Sequence, residues 1–211
     1  MRTRADEITD KLLTLRAIQI ASNKTRFQGR LMLQKIIFVA GHKYREAKER
    51  VLGQSFYRWD YGPMSDDVYR DVESLEKLDL ITGELDKEIK LTERGKEILR
   101  KCEPIFSSKR ELLSKLDETA INAGNLNDLL DKVYSMETFV EEMDKKLIIR
   151  DIPEGKTMLS PLWENEADLT LRLDNSWLET LDLMLDPEVD AEIQRAMEDA
   201  RKGRVRSLEI I

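Results

Sequence analysis

The stretch from Ala167 to Ile211 holds too little apolar material to build a core of its own, which limits what the rest of the chain can be. It opens with Leu169, Leu171 and Leu173 alternating with Thr170 and Arg172, which gives a single strand one apolar face. A short helix follows, carrying Trp177, Leu178, Leu181 and Leu185, with Asn175 or Ser176 as its cap. Asp186-Pro187-Glu188 then starts a second helix: a capping carboxylate, proline at the first helical position and an acid in the first turn. On that helix Val189, Ile193 and Met197 recur every four residues, and Arg201-Lys202-Gly203 supplies the stop. A segment that can order but lacks a core orders on something else. That points to a binding protein rather than an enzyme.

Charge sharpens this reading. The net charge of -7 is unevenly spread: residues 1–60 carry 13 Lys/Arg against 6 Asp/Glu, whereas residues 111–211 carry 12 against 24. Between Asp151 and Ala200 the imbalance is greatest, with 14 acids facing the 3 bases Lys156, Arg172 and Arg195. A solvated polar face accounts for an acidic bias on its own. An acidic ribbon that also lacks a core is matched to a basic partner.

The remainder of the 211 residues reads as a domain with an appendage. Ile8, Leu12, Leu15 and Ile18 fall on one face of a helix from about Ala5 to Ser22, and NKTRFQG (Asn23–Gly29) reads as a loop. Leu31, Leu33, Ile36, Ile37, Ala40 and Tyr44 mark a second helix. Tyr61-Gly62-Pro63 turns the chain into a third, capped by Ser65 and using Val68, Val72, Leu75 and Leu78. Leu80-Ile81 and Ile89-Lys90-Leu91 then flank a polar turn as a short β-hairpin, and Thr92 opens another helix through Leu99. Helix, ribbon and helix in this order end a winged-helix unit. Pro104 to Lys146 reads as helical, with breaks near Gly124 and Ser135, and a turn-rich linker comes next at about residue 155. The expected fold is mainly α with a short β-hairpin, an α+β class. A winged-helix-like domain spans 1–105, a helical extension and linker 106–155, and a strand-plus-helices tail 156–211.

Residues suited to catalysis are scarce. The single histidine, His42, is better read as helix-packed or surface than as ligand or base. Cys102 stands alone, which excludes an internal disulfide and suits a reducing compartment; a buried or idle thiol is favoured over a nucleophile. Neither a zinc-site spacing nor a phosphate-cradling glycine loop occurs, and no cofactor is expected. The aromatic run around Trp59 could stack a base, although core packing is its commoner fate. No apolar run approaches the roughly 20 residues that span a bilayer, and there is no secretory leader pattern, so a cytoplasmic protein without a membrane partner is expected.

Lys24, Arg26, Arg30 and Lys35 belong to a basic N-terminal region and are the candidates for DNA contact. The helix that would enter the major groove argues against it. Asp66, Asp67, Asp71, Glu73, Glu76 and Asp79 lie off its apolar stripe and would be repelled by phosphate.

Two stretches resemble known families. Leu33-Gln34-Lys35-Ile36-Ile37-Phe38, the run from Tyr57 through Tyr61-Gly62-Pro63 to Ser65, and Leu91-Thr92 with Gly95 together resemble the Panacea domain and related YwgA-like, phage-associated proteins, over about residues 5–105. Panacea domains are associated with antitoxins that neutralise varied toxins. Leu171, Leu173, Trp177-Leu178, Leu185 to Val189 and Glu198 to Glu209 resemble the C-terminal half of RelB/Phd-type antitoxins. In those proteins this half wraps a small basic toxin of the RelE/ParE kind. The resemblance implies that Leu169, Leu171 and Leu173 extend a toxin sheet, and that Trp177, Leu178, Leu181, Val189, Ile193 and Met197 fill an apolar groove.

Tail, charge and resemblances together point to an antitoxin acting by stoichiometric masking of a small basic toxin. Operator DNA and a second copy of the chain are further candidate partners. A winged-helix transcriptional regulator and a phage-associated adaptor or protease-delivery factor are the alternatives. A third arrangement folds the apolar tail residues back onto the chain's own N-terminal domain.

Overall fold

The computed structural model describes residues 2–23 and 27–204. Helix α1 (Arg4–Ser22) begins with a reciprocal cap, in which the Thr3 hydroxyl accepts from the Asp6 amide while the Asp6 carboxylate accepts from the Thr3 amide. Its sequence pattern shows one apolar face, yet the helix is buried on most of its circumference. Helices α2 (Gly29–Glu46), α3 (Asp66–Lys77), α4 (Glu93–Lys101) and α6 (Arg110–Ile121) all pack on it.

Burying α1 so fully puts polar groups inside. Asp10 on α1 and Asp71 on α3 are both buried and share the Arg2 guanidinium: Nε donates to Asp10 at 2.7 Å and Nη2 to Asp71 at 2.6 Å. The Gly53 amide donates to Asp10 at 2.9 Å and the Gln54 side-chain amide to Asp71 at 3.2 Å. Burial raises both carboxyls, Asp10 to about 8, against the opposing pull of Arg2. Asp71, placed by its spacing on the polar face of α3, is therefore an interior residue, because the N-terminal arm folds over it.

The segment between α2 and α3 holds strands β1 (Glu49–Arg50), β2 (Phe56–Trp59) and β3 (Gly62–Met64), with β2 and β3 antiparallel across the Gly62 turn. Ser65 caps α3 by accepting from the Val68 amide. Strands β4 (Ile81–Thr82) and β5 (Lys90–Leu91) form the expected hairpin, and Thr92 caps α4 through the Gly95 amide. A Cβ at Gly95 would stand 2.2 Å from the Leu80 carbonyl oxygen, so the contact between helix and hairpin requires glycine there.

The middle third departs from its helical expectation. Helices α5 (Glu103–Ser108), α6 and α7 (Leu126–Ser135) end at the expected break. Beyond it the chain forms an antiparallel hairpin, β6 (Glu137–Val140) and β7 (Lys145–Ile148). Thr138 and Val140 point inward while Glu137 and Phe139 face solvent, a two-residue period that overrides the charged, helix-favouring composition around it.

The boundary expected at about residue 155 lies inside a sheet. Strand β8 (Thr157–Leu159) pairs antiparallel with β2, and the Gly155 amide donates to the Arg58 carbonyl at 2.7 Å. Strand β9 (Leu169–Thr170) pairs parallel with β1. The architecture is mainly helical with small sheets of two and three strands. The tail is tied to the rest through β8, β9 and helix α8 (Asn175–Leu185), and helix α9 (Pro187–Arg201) comes last.

Candidate partner-binding surface

The tail divides at Asp186. Before it, α8 docks on α1 through Leu181 and Leu185, which are 0% and 1% exposed. The Lys11 ammonium donates to the Leu185 carbonyl at 3.1 Å, where the end of a helix favours a cation. Arg4 donates to Asp182 at 2.8 Å and also pairs with Asp186. Leu181, read from the sequence as part of a partner-binding stripe, is thus part of the protein's own core. The reason is the capacity of α1, whose exposed flank accepts a further apolar helix. The cap of α8 is also displaced: it is Asp174, without a side-chain bond, rather than Asn175 or Ser176.

Leu171, Leu173, Trp177 and Leu178 are half-buried against the same core. Leu171, Leu173 and Leu178 line a cleft of about 350 Å³, with Thr3, Asp6, Thr9 and Arg50 among the residues of the N-terminal part on its other wall. The strand expected to extend a partner's sheet has one edge occupied by β1, since the Leu171 amide donates to the Arg50 carbonyl at 2.8 Å. The Leu169 side chain remains 58% exposed.

After Asp186 the character changes. Its carboxylate caps α9, accepting from the Glu188 amide at 2.8 Å and the Val189 amide at 3.3 Å, as the Asp-Pro-Glu run predicts. Gly203 sits at φ +69, and the Arg204 amide closes the helix on the Asp199 carbonyl at 2.8 Å. On α9 Ile193 is 41% and Met197 46% exposed, and Val189 is half-buried at the joint. Glu188, Glu192, Glu198 and Asp199 are exposed around that stripe. Two exposed apolar side chains on the tail escaped the sequence reading, Trp163 at 64% and Leu183 at 54%. Trp163 follows no periodic pattern, and Leu183 interrupts one, so neither left a signal.

The residues of the N-terminal motif meet one another. Gln34 on α2 donates to the Ser65 carbonyl at 2.9 Å and accepts from the Ser65 amide at 2.9 Å. Lys35, 2% exposed, donates to the Pro63 carbonyl at 2.8 Å. Leu33 is buried, Gly62 takes the left-handed φ of +86, and Tyr61 projects into solvent at 67% exposure. The helix motif and the turn motif are one clamp, which fixes the start of α3 to α2.

This placement removes the two described members of the expected DNA-contacting set, Lys35 and Arg30. Lys35 is interior. Arg30 donates to both Asp86 oxygens, at 2.8 and 2.9 Å, and stacks 4.7 Å above the Tyr69 ring. Lys24 and Arg26 lie outside the described residues. Of the other reactive groups, His42 bonds the Glu137 carbonyl at 3.0 Å. Burial pushes the Cys102 thiol up to about 11, leaving little thiolate at neutral pH.

Burial also lowers Lys35 to about 7 from 10.5, with the Arg58 charge adding to the effect. A lysine that holds its proton less tightly when folded gains relative stability as pH climbs from about 7 past 10. Below 7 both states are protonated and the burial cost is complete. Urea midpoints of the wild-type protein should therefore carry a rising component over that window, absent from Lys35→Met. Parallel pH profiles for the two proteins would refute this. Comparisons of the chain with known protein families, with characterised proteins and with solved structures find no match.

Proposed function

We propose that this protein is the antitoxin of a two-component pair and neutralises a small basic toxin by stoichiometric binding, with no reaction of its own. The observation that carries the reading is the exposed stripe of Ile193 and Met197 on α9, a helix with two bases, Arg195 and Arg201, amid a surplus of acids. An apolar stripe framed by acids fits a cationic groove in the way that helix-in-groove complexes are built. The motif resemblances in the sequence point the same way. The binding surface is narrower than the whole tail: α9 and the exposed Leu169 form it, while α8 serves as the mount that holds α9 out from the body.

A transcriptional regulator receives less support. The exposed face of α3 carries Asp66, Glu73 and Glu76 with Arg70 and Lys77, and the described members of the basic set are buried or paired.

The test is co-expression with the product of the neighbouring gene, which the reading expects to be a small basic protein, then co-purification and growth. Ile193→Asp with Met197→Asp is expected to weaken the complex at least about tenfold and release toxicity, because hot-spot side chains dominate such interfaces. Urea midpoints should not move, since both side chains are at the surface. Full protection by the double variant, or no complex with the neighbouring product, would overturn the reading.

A further inference from the structure

Along β2 the side chains alternate: Phe56 is buried, Trp59 exposed, and Arg58 falls on the Phe56 side. The Arg58 guanidinium lies 5.8 Å from the centre of the Tyr134 ring. Its Nε and Nη1 are shielded from solvent and meet no hydrogen-bond acceptor among the described residues. Pro63 stands opposite Arg58 in the β2–β3 register, and its carbonyl is the one acceptor of the buried Lys35 ammonium, which has three N–H donors. The charge that acts on Lys35 is Arg58, of the same sign.

Elsewhere most sheltered cations meet a carboxylate, although Lys11 rests on the Leu185 carbonyl and Lys43 on the Thr119 hydroxyl. Arg2 meets Asp10 and Asp71, Arg50 meets Asp6, Arg16 meets Asp117, and Lys115 meets Glu49. Two basic groups side by side without an anion are costly to bury: Lys35 relieves part of that cost by releasing its proton more readily, and the Arg58 guanidinium cannot. Such an exception in a folded chain calls for a ligand or water.

We propose that Arg58 and Lys35 form a binding site for phosphate. Five N–H groups stand free there: one on Nε, two on Nη1 and two on Nζ. A tetrahedral dianion can accept from both cations at once and balances both charges, whereas a carboxylate would leave one charge unmatched. Tyr134, a half-buried side chain on the last turn of α7, lies against the Arg58 guanidinium. The site uses neither α8 nor α9, so it stands apart from the toxin-binding reading.

The experiment is equilibrium dialysis and urea denaturation of the full chain in inorganic phosphate, against chloride at matched ionic strength. Wild-type protein should bind one phosphate saturably and gain stability with phosphate concentration. Arg58→Gln and, separately, Lys35→Met should each bind at least about tenfold more weakly, as loss of a charge-assisted contact implies. Arg58→Lys should keep more of the affinity than Arg58→Gln. Absence of saturable binding by the wild-type protein would overturn the proposal, as would undiminished binding by Arg58→Gln. If Arg58→Gln does not fold, Lys35→Met decides in its place, and undiminished binding by that variant overturns the proposal.

Discussion

At pH 9.5, above the raised Asp10 value, Arg2→Met should cost about 3–5 kcal/mol of folding stability, the range found when one partner is removed from a buried ion pair. Arg2 is the shared counter-charge of two carboxylates that solvent cannot reach, and no other cation pairs with either of them among the described residues. Methionine replaces much of the apolar stem, so the loss reports on charge rather than on packing. The loss should shrink as the pH falls. With the cation gone, Asp10 and Asp71 rise further above the ordinary carboxylate range and take up protons in the folded state, so the variant's stability falls as pH rises through that raised range. Urea denaturation at pH 6 and pH 9.5, on either side of the raised Asp10 value, checks both statements. An equal loss at the two values, or a loss below about 1 kcal/mol at pH 9.5, would show that the network matters little.

The second large effect concerns how the tail is mounted. Leu181→Ala should weaken the docking of α8 by about 2–5 kcal/mol, the usual range for emptying a fully buried leucine site. Ile193→Ala, on a half-exposed side chain of the next helix, should leave docking unchanged. Because the cavity lies at the α1–α8 contact, the loss should surface as local opening of the tail rather than as global unfolding. Amide hydrogen exchange across residues 175–185 and the rate of proteolytic nicking near Asp186 measure this directly. Protection of α8 equal to that in the wild type would mean that Leu181 does not hold the tail in place.

These two substitutions separate what was legible in the sequence from what was not. Ser65, Thr92 and Asp186 all cap helices where the sequence places caps, because capping is a transaction between one side chain and amides two or three residues on. The Ile81–Leu91 hairpin and the Gly203 stop are local in the same sense. Residues 137–148 misled because a run rich in Glu, Lys and Asp favours helix, while two inward-facing residues, Thr138 and Val140, committed it to a strand.

Long-range pairing was invisible. That Gln34 and Lys35 bond the turn at Pro63 and Ser65 explains why two short motifs separated by some thirty residues occur together, yet neither motif contains the other's partner atoms. The candidate surface was half legible on the same account. The amphipathic repeat of Val189, Ile193 and Met197 and the acidic bias around it are properties of the chain itself. Which tail leucines face solvent is not, since identical side chains at 169 and 181 end respectively exposed and sealed.

By itself the sequence determined most of the helices, the caps at Ser65, Thr92 and Asp186, the α+β class and the concentration of acid near the C-terminus, all set by interactions within a few residues. The tertiary structure alone decided that α1 would be enclosed, that Asp71 and Lys35 would be interior, and that the tail would divide at Asp186. Burial depends on which distant surfaces find one another, and a hydrophobic period says only that a face is apolar, never what covers it.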